Sequence, residues 1–243
     1  MILGVSHIVL SSTDLIRDKK TLESIGWRTQ FDETGISTFQ GKRPYMCTVS
    51  SEQELAFMIP PQGTPVELIY YANELPDHSD SPLQILLPPP QGDVELDQLT
   101  CALQFSVSAP VPSLITHYVT ELDAAIHFWQ KGLGFQRSKQ QSPIAGAALF
   151  EFPSPMPQWR ASLLLMPTKA MVGRPLLDGP GFRVLSMVST QLEKDCSRVF
   201  EEGGAISSTG RMELKVNGKD MILDIVEGPD GVMVEIFQTH RIK

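Results

Sequence analysis

Three residues of this 243-residue chain combine metal-binding or acid–base side chains with an apolar, strand-like setting. His7 lies in Gly4-Val-Ser-His-Ile-Val-Leu-Ser11, Glu67 in Thr64-Pro-Val-Glu-Leu-Ile-Tyr-Tyr71, and Glu235 in Gly228-Pro-Asp-Gly-Val-Met-Val-Glu-Ile-Phe-Gln238. A carboxylate set among Val, Leu and Ile is costly to bury unless its charge is compensated. One imidazole and two carboxylates from separate strands form a donor set that suits Zn, Ni, Mn or Fe and does not choose among them. The plainer account makes His7 a hydrogen-bonded core histidine and puts each glutamate on the solvated face of its strand.

The other chemistry-bearing residues are less suggestive. His127 falls off the apolar stripe of a helix, and His117 does so too if that helix reaches back to it; both read as solvated positions. His78 and His240 sit in a linker and a tail. Tyr70, Tyr71, Trp159 and Phe237 either line a pocket or fill the core. No GxSxG elbow, phosphate-binding loop or GxGxxG after a strand is present.

Bulk properties narrow the function classes. Lys and Arg total 20 against 28 Asp and Glu, a net charge of -8 that argues against nonspecific nucleic-acid binding. No apolar run is long enough to span a membrane, and Met1-Ile-Leu-Gly4 does not resemble a signal peptide. Cys47, Cys101 and Cys196 are too scattered for a disulfide framework or a CxxC site, which points to a reducing, cytoplasmic setting. Hydrophobic residues make up 42% and charged residues 20%, the balance of a globular chain with a sizeable core.

The candidate site residues are carried by a recurring pattern of strand, helix and further strands. In the first unit the strand from His7 to Asp14 precedes a helix over Leu15–Ile25, with Asp14 as N-cap and Gly26 as stop. Strands are expected near Trp27–Phe31, Tyr45–Ser50, Leu55–Ile59 and Pro65–Tyr71. In the second unit, Leu122, Ala125, Ile126 and Trp129 form a helical stripe ended by Gly132 and Gly134, with strands at Ala147–Phe152 and Ala161–Met166. Residues 114–120 read either as a backward extension of that helix or as a β-branched strand. The third unit has a strand over Phe182–Val188, a helix over Leu192–Glu202, and strands at Met212–Val216, Met221–Val226 and Val232–Phe237. A Pro-rich linker over 75–98 separates residues 1–74 from 99–243 and is expected to be irregular. Leu99–Ser108 reads as a strand.

His7-Ile-Val-Leu-Ser-Ser-Thr-Asp-Leu15, Glu121-Leu-Asp-Ala-Ala-Ile-His-Phe-Trp-Gln-Lys-Gly-Leu-Gly-Phe135 and Gly228-Pro-Asp-Gly-Val-Met-Val-Glu-Ile236 together resemble the modules of the vicinal oxygen chelate superfamily, the glyoxalase, bleomycin-resistance and extradiol dioxygenase group. The resemblance implies an α+β fold in which repeated βαβββ modules pair into incomplete mixed β-barrels with flanking helices. It implies a metal-dependent, glyoxalase-like enzyme of lyase or isomerase type acting on a small oxygenated molecule. His7, Glu67 and Glu235 would then be the metal ligands, the metal a divalent Zn, Ni, Mn or Fe, and Glu235 the proton shuttle. A metal-free protein that binds a small molecule on the same fold is the alternative. Dioxygenase chemistry is less favoured, because only one histidine is well placed.

The ligand set is incomplete in any adjacent pair of units. Leu114 falls at the second unit's ligand position if that unit begins there; if its first strand is Thr100–Ser108, Gln104 is the nearest polar residue. The third unit offers Phe182 or Arg183 where the family commonly has histidine, and Ala161–Met166 has no acid. A site built from His7, Glu67 and Glu235 requires the first and third units to face each other. The expected partner is a small-molecule substrate or ligand, with no nucleic acid and no membrane. Pairing of modules within one chain or across a homodimer is left open.

Overall fold

The computed structural model describes residues 1–48, 50–72, 81–87, 99–101, 103–105, 113–170, 176–206 and 210–239. The first unit comprises β1 (Ile2–Ser11), α1 (Leu15–Ser24), β2 (Arg28–Ser37), β3 (Glu52–Ile59) and β4 (Val66–Tyr71). Asp14 caps α1 by accepting from the Arg17 N–H at 3.0 Å, and the helix is left through Gly26, whose φ of +88° suits glycine. The strand expected over Tyr45–Ser50 is not formed by the described residues of that stretch. Gln40–Tyr45 is a 3₁₀ turn, because the chain there folds back onto a buried acid instead of extending.

Two short strands follow, β5 (Leu83–Leu87) and β6 (Gln104–Phe105). β5 lies within the Pro-rich stretch expected to be irregular: its pentapeptide Leu-Gln-Ile-Leu-Leu contains no proline and alternates in burial. Of the strand expected over 99–108, the described residues form only β6. The second unit is β7 (Leu114–Val119), α2 (Leu122–His127, continuing as a wider turn over Phe128–Gly132), β8 (Gln136–Arg137), β9 (Ala148–Glu151) and β10 (Ser162–Pro167). Residues 114–119 are therefore strand and not helix. The third unit is β11 (Gly181–Ser189), α3 (Leu192–Glu201), β12 (Ala205–Ile206), β13 (Met212–Val216), β14 (Lys219–Glu227) and β15 (Met233–Thr239).

Pairing joins the first and third units. One nine-stranded sheet runs β12-β14-β15-β11-β1-β4-β3-β2, with β13 on β14, and its centre is the antiparallel β1–β11 ladder. The second sheet runs β6-β5-β7-β10-β9-β8. In it, β5 is antiparallel to β7 as β1 is to β11, and β6 is parallel to β5 as β4 is to β1. β5 and β6 thus stand where the first and last strands of a fourth module would. The architecture is α+β, with βαβββ modules paired into incomplete mixed barrels.

One apolar core links both sheets and the helices, drawing Ile8, Leu10 and Leu68 together with Ile115, Trp129 and Leu163. Leu114, Leu149 and Leu164 of the second sheet form a separate small apolar cluster. His117 is buried on β7, accepting from the Trp129 indole N–H at Nδ1 (3.0 Å), so it is a core residue and not a solvated helix position. His127 is exposed and pairs with Glu202.

Candidate active site

Strand register brings the three expected residues to one sheet face. Val9 stands opposite Glu67 across the parallel β1–β4 pair, and Ser186 opposite Glu235 across β11–β15. Alternation along β1 puts His7 on the same face as Val9. This face borders a cavity of about 1110 Å³, whose lining includes His7, Lys42, Gln53, Glu67 and Glu235. Phe57 meets His7 edge-on at 5.1 Å and stacks on Phe31 at 5.2 Å, giving an aromatic wall. Trp159 and Phe237 also line the cavity, whereas the Tyr71 side chain is buried in the core behind it.

Repeated contacts show which residue of the third unit corresponds to His7. Ser12 Oγ donates to Asp18 at 2.7 Å and Ser189 Oγ donates to Asp195 at 2.6 Å, matching the turns after β1 and β11. Val9 faces Glu67 as Ser186 faces Glu235, so the partner of His7, two residues earlier, is Val184. Val184, and neither Phe182 nor Arg183, holds the third unit's position equivalent to His7. Arg183 is instead buried, with its guanidinium drawn down to about 9 by burial while Asp178 and Tyr71 oppose the shift.

The electrostatics of the cleft follow from burial. Desolvation lowers His7 to about 3, so its imidazole is neutral near pH 7. Its Nδ1 is 3.1 Å from Ser6 Oγ, and its Nε2 is 3.7 Å from a Glu67 carboxyl oxygen, outside hydrogen-bond range. Burial, then the neighbouring Glu235 charge, pushes Glu67 up to about 7, with Lys42 acting against them. Glu235 is also raised by burial, opposed by Lys42 and by the Ser186 hydroxyl, which donates to it at 2.8 Å.

Sequence reasoning passed over Lys42. Burial acts to lower its amine, but Tyr71, Glu235 and Glu67 outweigh that effect and the net shift is upward. Among the described residues it makes no direct ion pair with either glutamate, so it acts on them across cavity space. Gln53 was passed over as well. It is 7% exposed, lines the cavity, and its Oε1 has no hydrogen-bond partner in the protein. Neither residue belongs to a motif; the only signal for Gln53 was a polar residue in phase with Leu55 and Phe57 on β3.

A divalent ion of the kind the fold implies can be tested against these residues. His7, Glu67 and Glu235 offer suitable atoms, but Val184 supplies none and the Lys42 ammonium shares the cavity. Among the described residues no three His, Cys, Asp or Glu side chains are gathered closely enough to hold a metal. The donors as arranged do not fit a resident divalent ion.

Comparisons with known proteins agree with the architecture. The family model for the Glyoxalase/Bleomycin resistance protein/Dioxygenase superfamily matches residues 113–236. Glyoxalase I from Zea mays is similar in structure over 97% of this chain and 92% of that one, with a TM-score of 0.62 and 16% identity. A single-residue mutant of that enzyme superposes over the same shares with a TM-score of 0.64, also at 16% identity. These likenesses show the fold. No curated protein matches the chain by sequence.

Proposed function

The chain belongs to the glyoxalase/bleomycin resistance protein/dioxygenase superfamily, and we propose that its cleft binds a small oxygenated molecule and moves a proton on it, in a glyoxalase-like reaction of lyase or isomerase type. The observation that carries this reading is Glu67: a carboxyl pushed up to about 7, beside a neutral imidazole, facing a cavity large enough for a metabolite. A carboxyl titrating near neutrality can take up and return a proton at working pH, which contributes roughly 10²–10⁴-fold to such steps.

The other groups take complementary roles. Lys42 donates to a carbonyl or carboxylate oxygen. Gln53 Oε1 accepts from a hydroxyl or N–H of the ligand, which would satisfy an otherwise orphaned buried acceptor. The shuttle role expected of Glu235 passes to Glu67, because Glu235 is engaged by Ser186. His7 stays neutral, fixes the local geometry and keeps a second positive charge out of the cleft. No step runs through a metal.

The test is deuterium incorporation beside the carbonyl of hydroxyacetone and dihydroxyacetone, followed by NMR. Exchange at least tenfold faster with the wild type than with Glu67→Gln is the expected result. Equal rates would defeat the proton-transfer role. A second reading, a metal-free binding protein without turnover, is favoured by the aromatic wall of Phe31 and Phe57; saturable binding with no exchange would select it.

A further inference from the structure

We propose that Ser6 is a positioning residue: its hydroxyl fixes the tautomer of His7 so that the Nε2–H faces the cleft as a donor for a ligand carbonyl oxygen. The backbone arranges this pairing. Along the β1–β11 ladder Val5 stands opposite Met187 and His7 opposite Ser186, so Ser6 is an extra residue on β1. Such a bulge breaks strand alternation and re-aims a side chain. Ser6 and His7 therefore line the same cavity, although they are neighbours on one strand. Ser6 Oγ lies 3.1 Å from His7 Nδ1. The Ser186 hydroxyl, opposite the bulge on β11, is already given to Glu235 at 2.8 Å. The imidazole ring is held between Phe57, edge-on at 5.1 Å, and Phe237, tilted at 6.2 Å.

The two ring nitrogens then divide their roles. A neutral imidazole has one N–H and one bare nitrogen, and the hydrogen bond made at one decides the state of the other. Were the proton on Nδ1, the bare Nε2 would turn its lone pair toward the Glu67 carboxyl oxygen 3.7 Å away. With Ser6 donating to Nδ1, Nε2 carries the proton instead. That N–H lies beyond hydrogen-bond range of Glu67, which leaves it for a ligand oxygen. A neutral imidazole can polarise a carbonyl in this way without adding positive charge to the site. The C–H proton beside the carbonyl passes to the Glu67 carboxylate and its electron pair forms the C=C bond of the enediolate. The carbonyl π pair moves to the oxygen held by the Nε2–H, and the reverse step restores the ketone. This catalytic consequence rests on proton transfer at Glu67 as proposed above, whereas the tautomer does not.

The experiment is long-range proton–nitrogen correlation NMR near neutral pH on the full chain labelled with nitrogen-15 histidine, with His7→Gln assigning the resonances. It compares the wild type, Ser6→Ala and Ser6→Thr, each first checked by circular dichroism. The wild type and Ser6→Thr are expected to show Nε2 protonated and Nδ1 bare, and Ser6→Ala a mixture of the two tautomers. Added hydroxyacetone should move the Nε2 resonance in the wild type and move it less in Ser6→Ala. Ser6→Ala should also slow deuterium exchange into hydroxyacetone by about tenfold, part of the roughly 10²–10³-fold that one aimed donor supplies, with Ser6→Thr near the wild-type rate. A wild-type His7 carrying its proton on Nδ1 would overturn the proposal, whatever the variants do. So would a folded Ser6→Ala that keeps the wild-type tautomer, or a wild-type Nε2 resonance unmoved by hydroxyacetone. Equal exchange in the wild type and Glu67→Gln, with Nε2 still protonated and moved by hydroxyacetone, would sink the proton transfer at Glu67 while upholding the assignment of Ser6.

Discussion

At the scale of the residue, the cleft turns on two groups whose burial drives them in opposite directions. Neutral His7, lowered to about 3 from 6.5, contributes stability that is complete above about pH 6.5 and is lost as pH falls through about 3. Glu67, raised to about 7 from 4.5, contributes stability that is complete below about pH 4.5 and is lost as pH rises through about 7. Glu67→Gln removes only the second dependence. In urea unfolding the variant should match the wild type near pH 4.5 and exceed it near pH 8 by about 1–3 kcal/mol; a constant difference across that range would contradict the burial argument. His7, Glu67 and Glu235 were legible in the sequence because strand alternation exposes a lone polar residue among apolar ones. Val184 was not, since a missing ligand is recognised only after register fixes its position. Lys42 was hidden because its role depends on a strap that folds back over residues distant in sequence.

At the scale of the element, the strap formed by the 3₁₀ turn Gln40–Tyr45 and its anchor decide where Lys42 sits. Asp178 is 1% exposed and accepts from two backbone N–H groups and a hydroxyl. Asp178→Ala would leave those donors unsatisfied and should cost about 2–4 kcal/mol, with faster amide exchange over residues 40–48. Unchanged exchange there would show that the anchor is not Asp178. A second segment crosses β1: a Cβ on Gly4 would lie 2.6 Å from both Cβ and the backbone O of Trp159. Gly4→Ala should therefore displace Trp159, which lines the cavity, at a cost of about 1–3 kcal/mol, with a shift in tryptophan fluorescence. The helices were readable from caps and stops, whereas β7 was not. Five of its six residues are buried, so neither helical nor strand periodicity shows in its sequence. The expected strand over Tyr45–Ser50 failed for a different reason: Asp178 captures its backbone N–H groups.

At the scale of the whole molecule, three sequence units of similar outline become one polar cleft and one apolar sheet. The modular fold was legible because its three motifs recur in order. The partnership of first and third units was not, since it depends on β1 finding β11 across most of the chain. A fragment of residues 99–243 would leave the β11 edge bare and remove His7, Lys42 and Glu67. It should aggregate or unfold where the full chain stays folded, as light scattering and circular dichroism would report. Among the described residues no helix is long and apolar enough to cross a membrane. The central claim is that this pairing creates a carboxyl poised to exchange a proton near neutrality. It is tested most directly by carbon-13 NMR titration of glutamate side-chain carboxyls, with Glu67→Gln assigning the resonance. The account predicts a Glu67 midpoint at about 7; a midpoint at the ordinary value near 4.5 would contradict it.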